Sequence, residues 1–135
     1  MKIYIAYKLS GVDFAILKKR LEEVSRIIEE LGHQSFIFVR DMQQWKPGGM
    51  EPKEVMKKAM EQMKKCDVII SIIETQEKGE GLLIESGFMK GLGKKVIVAS
   101  GPEGRGFMLK GMADETFDFS NMEEFKQKLA KILKK

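Results

Sequence analysis

The chain has 135 residues, 43% hydrophobic and 33% charged, a balance that suits one folded core and excludes a disordered chain. No apolar run approaches the ~20 residues of a membrane-spanning helix, and the single cysteine, Cys66, excludes an internal disulfide and a cysteine-rich zinc site. The net charge of +4 belongs to the last ten residues, which hold five lysines and no acid; the rest carries 19 basic against 20 acidic side chains. Only four arginines exist, scattered at 20, 26, 40 and 105, so no basic face for nucleic acid is expected. The opening segment is strand-like rather than a basic-then-apolar leader, and a reducing, cytoplasmic setting is the expectation.

KIYIAY over 2–7 is short, rich in β-formers, and reads as a strand broken by Ser10 and Gly11. Phe14, Leu17, Leu21, Val24, Ile28 and Leu31 then recur at helical spacing, predicting a helix capped by Asp13 and stopped by Gly32. SFIFV over 35–39 is a second strand. Residues 40–51 form a loop holding Pro47, Gly48 and Gly49 with Trp45 beside them. Pro52 suits the first turn of a helix running to about Lys65, with Val55, Met56, Ala59, Met60 and Met63 on one face. DVIISII over 67–73 is apolar almost without a break, which predicts a strand buried on both faces.

A polar loop over 74–81 leads to a helix over 82–92 ended by Gly93, and then to the strand KVIVA over 95–99. A glycine-rich loop over 100–111 precedes a short strand, TFDF, over 116–119. Ser120 and Glu123 have capping-box spacing and open a last helix with Phe125, Leu129, Ile132 and Leu133 on one face. The alternation predicts a single-domain α/β fold over residues 1–135. Its core is a doubly wound, five-stranded, mainly parallel sheet with helices on both faces, Rossmann- or flavodoxin-like.

In such a sheet, ligands bind beyond the C-terminal strand ends, here residues 7–11, 39–49, 74–81 and 100–111. The most informative stretch is KGEGLLIESG over 78–87, where Gly79, Glu80 and Gly81 are expected against a substrate. Glu85 falls in the first helical turn or just past it, where backbone N–H groups and the helix dipole favour an ionised carboxylate. A carboxylate of that kind can attack the anomeric carbon of a sugar. Acids in first helical turns are also common without any catalytic role.

The segment ESGFMKGLGKKVIV over 85–98 resembles the signature of the nucleoside 2-deoxyribosyltransferase family, which includes 2′-deoxynucleoside 5′-phosphate N-hydrolases. Tyr4 in the opening strand, DVII over 67–70 and KGMAD over 110–114 agree with it. The resemblance implies that Glu85 is the nucleophile toward C1′ of a nucleoside and that Tyr4 positions its carboxylate. Without the resemblance, Tyr4 reads as a half-buried strand tyrosine. The implied substrate is a small-molecule nucleoside or nucleotide, no cofactor or metal is called for, and a homo-oligomer with a shared active site is expected.

Three departures stand out. Ala59 replaces an aspartate usual in the family, Gly79 replaces a second one in transferases, and Gly106 or Phe107 stands where a neighbouring subunit lends a polar side chain. Glu80, Glu77, Glu74 or Asp41 can supply the missing acid, with Glu80 favoured by proximity in sequence. Lys8 and Ser10, after the tyrosine strand, can hold a 5′-phosphate, and Arg105 can reach one on the same or a neighbouring subunit. Trp45 either stacks on a nucleobase or caps the core. His33 belongs at the end opposite the site, Cys66 reads as an inert core thiol, and Met56, Met60 and Met63 read as a core- or subunit-facing stripe.

The expected function is cleavage of an N-glycosidic bond through Glu85, with transfer of the sugar to another base. The alternatives are hydrolysis of a 2′-deoxynucleoside 5′-monophosphate, and a nucleotide-binding module that has lost the chemistry.

Overall fold

The computed structural model describes residues 1–77 and 79–134, with Phe107 described by its backbone alone. Lys78 therefore lies outside the described residues, as does the side chain of Phe107. Five strands, β1 (Lys2–Ala6), β2 (Gln34–Ile37), β3 (Val68–Ile73), β4 (Lys95–Ser100) and β5 (Glu115–Asp118), form one sheet in the order β2-β1-β3-β4-β5. All four pairings are parallel. Every residue of β3 is buried, as its unbroken apolar run predicts for a central parallel strand.

Among the described residues six helices flank the sheet: α1 (Phe14–Glu30), α2 (Phe38–Asp41), α3 (Pro52–Lys65), α4 (Glu80–Gly91), α5 (Phe107–Met112) and, after the last strand, α6 (Met122–Leu133). Helices α1 and α6 cover one face through Leu21, Val24, Ile28, Phe125 and Leu129, packed on Ile3, Ile5, Ile70 and Ile97. Helices α3, α4 and α5 cover the other through Ala59, Met63, Leu82, Met89 and Leu109, packed on Tyr4, Ile69, Ile73 and Val98. Strand alternation divides the residues between the faces: Ile3 and Ile5 of β1 face α1, and Tyr4 and Ala6 face α4. The doubly wound fold is therefore as expected.

Four boundaries differ from the sequence expectation. Strand β2 stops at Ile37, and Phe38–Asp41 turn into α2 because the Asp41 carboxylate accepts the Ile37 N–H at 2.9 Å. Helix α4 starts at Glu80, which makes Glu80 and Gly81 helical instead of loop residues. The glycine-rich loop contains α5. Helix α6 is capped by Asn121, whose side chain accepts the Glu124 N–H at 2.8 Å, while Glu124 accepts the Ser120 N–H. The cap lies one residue later than the spacing of Ser120 and Glu123 suggests, and the returning carboxylate takes the N–H of the residue before the cap, not that of the cap itself.

The strand order reverses direction between β1 and β3, and a crevice at the C-terminal ends opens at that point.

Candidate active site

Three segments converge on the C-terminal end of β1. The turn after β1 brings Tyr7, Lys8, Leu9 and Ser10; the segment after β2 brings Phe38, Gln43, Gly48 and Met50; and α3 and α4 bring Val55, Met56 and the run Gly79 to Leu82 with Glu85. They enclose a cleft of about 440 Å³, within the range of small-molecule sites.

Helix α4 is fixed under this cleft by a buried serine pair. The Ser86 hydroxyl donates to the Leu82 carbonyl at 2.7 Å and lies 2.6 Å from the Ser71 hydroxyl of β3. Ser86 has one hydrogen, so Ser71 is the donor between the two. The C-terminal end of α4 is closed by Gly93, in the left-handed region at φ 75°. Its N–H reaches the Lys90 carbonyl, and that of Lys94 reaches the Met89 carbonyl. Both ends of the signature segment are thus locked to the sheet.

Glu85 is half-buried at the cleft wall, and the Tyr4 hydroxyl donates a hydrogen bond to its Oε2. Tyr4 is fully buried and its ring stacks on Phe36, with centroids 5.2 Å apart. Burial raises the Glu85 carboxyl to about 7, and the Tyr4 hydrogen bond opposes part of that rise. This corrects the expectation of a dipole-stabilised carboxylate. Glu85 lies in the second turn of α4, beyond the orphan N–H groups, and desolvation governs. Burial and the neighbouring Glu85 charge push the Tyr4 phenol far above its usual range, so it stays a proton donor.

Gly79 adopts φ 87°, and a Cβ there would meet Lys8 Cγ at 3.0 Å. A glycine at this position therefore has a local reason: the chain enters α4 in a left-handed conformation against the Lys8 stem. The Lys8 ammonium reaches Glu77 at 3.4 Å, and Ser10 is exposed on the same rim. Ala59 is buried in the core between α3 and the sheet.

Among the acids considered as replacements, Glu74 pairs with Arg20 at 2.9 Å, Asp41 with Arg40 at 2.8 Å and Glu77 with Lys8. Glu80 is exposed in the first turn of α4 and lines the cleft with Glu85.

Two expected substrate contacts lie elsewhere. Trp45 does not line the cleft: its backbone is left-handed at φ 63°, which turns the indole onto the α1 side of the core with the Lys18 ammonium 5.4 Å from its ring. Arg105 is exposed outside the cleft, in a segment whose Gly104 and Gly106 are pressed onto Ile73, where added Cβ atoms would fall 2.4 and 2.5 Å from Ile73 atoms. Met56 lines the cleft, whereas Met63 is core. His33 sits at the opposite end, its Nδ1 3.0 Å from the Met1 amino group. Cys66 is buried and its thiol is pushed up to about 11 by that burial.

Sequence reading missed the apolar wall of Phe38, Met50, Val55 and Leu82, the Ser71–Ser86 pair, and Tyr7. The unusual serine inside an otherwise aliphatic strand was the one signal available for the pair. Among the described residues, no group of three or more His, Cys, Asp or Glu side chains is placed to hold a metal ion, and no helix is long and apolar enough to cross a membrane.

Residues 3–121 match the family described as nucleoside 2-deoxyribosyltransferase. No curated protein sequence matches the chain. Among solved structures, a CMP N-glycosidase, BcmB, of Clostridium botulinum superposes with a TM-score of 0.71 at 20% identity, covering 96% of this chain and 98% of that one. A 2-deoxyribosyltransferase of Bacillus psychrosaccharolyticus gives a TM-score of 0.70 at 24% identity, with coverage of 92% and 90%. A conserved protein of Enterococcus faecalis V583 gives 0.74 at 14% identity, with coverage of 99% and 97%. At these identities the three superpositions establish a shared fold.

Proposed function

Because the chain belongs to the nucleoside 2-deoxyribosyltransferase family, with its glycosyl-transfer and N-glycosidic chemistry, we propose that it cleaves a nucleoside or nucleotide N-glycosidic bond through Glu85 and passes the sugar to another base. The observation that carries this reading is the Tyr4 hydroxyl bonded to a half-buried Glu85 on the cleft wall. The Glu85 carboxylate forms a C–O bond to C1′ as the C1′–N bond breaks. The bonding electrons leave with the base, which takes up a proton. The C1′–O bond of the glycosyl ester then breaks as a ring nitrogen of an incoming base bonds to C1′; that base gives up its N–H proton, and the carboxylate is regenerated. Tyr4 holds one carboxylate oxygen, which leaves the other for the attack on C1′.

A second reading, hydrolysis of a nucleoside 5′-monophosphate, is favoured by one observation: Lys8 and Ser10 line the same cleft as Glu85. A cation and a hydroxyl donor there suit a 5′-phosphate, and water then opens the ester. Glu80, on the same wall, is the acid best located to assist the leaving base.

The same proposal has a second copy of the chain as the outer wall. Leu83 and Ile84 on α4 are 43% and 45% exposed, and Met108 on α5 is 80% exposed, apolar surface that a second copy can cover. Light scattering tests this: a strict monomer at micromolar concentration removes the shared wall from the proposal.

The deciding experiment is a panel of nucleosides and their 5′-monophosphates, with and without an acceptor base, read by chromatography. Base release is expected, and Glu85→Gln is expected to abolish it. Equal release by both proteins would sink the proposal, and nucleotide binding without release would leave a binding module.

A further inference from the structure

Tyr7 is one of the cleft residues that the reaction above leaves unused. It lies at the C-terminal end of β1, half-buried, and its ring stands between the main cleft and a smaller cavity of about 50 Å³ against α1. Its phenol oxygen accepts the Val39 N–H at 2.9 Å. That N–H belongs to the first turn of α2, where backbone donors lack helical partners and where the residue at the helix start, Ile37, offers no side-chain cap. The Val39 carbonyl in turn accepts the Trp45 N–H at 2.7 Å. Val39 is therefore gripped on one side by Tyr7 and on the other by Trp45. Phe38, directly before the first bond, and Gln43, between the two, both lie in the cleft wall. The backbone at Gln44 and Trp45 is left-handed, at φ 50° and 63°, a conformation that non-glycine residues keep only where the surroundings hold them.

We propose that Tyr7 is a positioning residue: its phenol clamps the Val39 N–H, and that clamp fixes the segment 38–45, whose Phe38 and Gln43 form the cleft wall against which the substrate packs. The role in substrate affinity rests on the function proposed above; the clamp itself does not. Tyr7 takes no part in bond breaking, so its loss acts on binding and spares the chemical step. Burial pushes the phenol above its usual range, which keeps it neutral and able to accept this bond across the working pH range.

The test is Tyr7→Phe, which removes the oxygen and keeps the ring, assayed with CMP and dCMP. The expected result is a KM raised roughly tenfold, equivalent to about 1.4 kcal/mol, with kcat and its pH midpoint within about twofold of wild type. Trp45 is the only tryptophan in the chain, so its fluorescence reads the wall directly. Its emission should shift to the red, and acrylamide should quench it more strongly. Lys18→Met, which strips the cation from the indole and leaves the clamp, should change the emission and leave KM unaltered. If Tyr7→Phe folds poorly, replacing Val39 by its α-hydroxy acid deletes the N–H with Tyr7 in place and should reproduce both changes. Unchanged KM with unchanged quenching overturns the proposal, as does a loss confined to kcat. If wild type neither cleaves nor binds CMP, dCMP or any other member of the nucleoside and 5′-monophosphate panel, the function proposed above fails, and the Trp45 quenching alone still decides whether the clamp exists.

Discussion

The face of the sheet under α1 and α6 is packed around three aromatic rings, whereas the face under α3, α4 and α5 carries two hydrogen-bonded polar pairs at its centre. On the first face Phe117, Phe119 and Phe125 meet edge-on, with Phe125 centroids 5.3 and 5.1 Å from the other two. Its polar cluster, where Arg40 bridges Ser25, Ser35 and Asp41, lies at the edge strand. On the second face Tyr4, Ser71, Ser86 and Glu85 sit under α4, each tied to another of the four by a hydrogen bond. The difference teaches how the labour is divided. The aromatic face provides rigidity, and the other face spends part of its hydrophobic contribution on holding one carboxyl group out of water.

That contrast can be broken most forcefully from the aromatic side. Phe125→Ala removes a fully buried ring from a three-ring contact and should destabilise the fold by about 3–5 kcal/mol, read by urea unfolding. Activity per folded molecule should be unchanged. A loss of activity in the folded variant would show that the two faces do not act separately.

Glu85→Gln tests the opposite side. The native carboxyl titrates at about 7, against an ordinary 4.5. Between those values the folded chain binds more protons than the unfolded one, so wild-type stability falls as pH rises through that window. Above pH 7 the difference is on the order of 3 kcal/mol. Glu85→Gln has no group to titrate and should escape this fall. Its urea midpoint should match wild type at pH 4 and exceed it at pH 8, with base release absent. Equal midpoints at pH 8 would mean that the site is not held at the expense of stability.

Gly79→Ala sharpens the comparison at the cleft's entrance. A Cβ at φ 87° that also meets the Lys8 stem should destabilise by about 1–2 kcal/mol. It should displace Lys8 and weaken binding of 5′-monophosphates more than of nucleosides. Equal effects on both substrates would remove Lys8 from a phosphate role.

How far the sequence discloses this layout depends on the kind of interaction. Helical spacing and the run DVIISII suffice for the sheet and its two faces, because burial repeats along the chain. Glu85 and Tyr4 are legible through the signature they belong to, although no periodicity pairs residues 81 positions apart. The opposite wall is not legible. SFIFV has β-forming residues to its end, but Asp41 and Tyr7 capture the N–H groups of Ile37 and Val39 and bend the chain into α2. Trp45 beside a Pro-Gly-Gly turn suggests stacking on a base, yet its left-handed backbone sends the indole toward α1. Helix α5 hides in a glycine-rich segment whose close fit to Ile73 is a tertiary contact with no local signal. Propensity reads what a residue does for its own element, and these cases are decided by what another element does to it.

The smallest change is expected from Tyr4→Phe, and it addresses the contrast at its centre. The ring stays buried against Phe36, so packing is kept and only the hydrogen bond to Glu85 is lost. That bond favours the ionised carboxylate, while burial opposes it. Without it, desolvation acts alone, and the Glu85 titration moves up from about 7. As the proposed nucleophile Glu85 must be ionised, so activity should rise with pH along a limb set by this group. In wild type the midpoint of that limb is expected near neutrality, and in Tyr4→Phe it should move upward by roughly one unit, about 1.4 kcal/mol. The variant should therefore recover much of its lost rate at pH 9 and little at pH 6. A rate lowered equally at both pH values would mean that Tyr4 orients the carboxylate without tuning it. A midpoint displaced downward would contradict the hydrogen bond as drawn, since a donor that favours the anion cannot raise acidity by leaving.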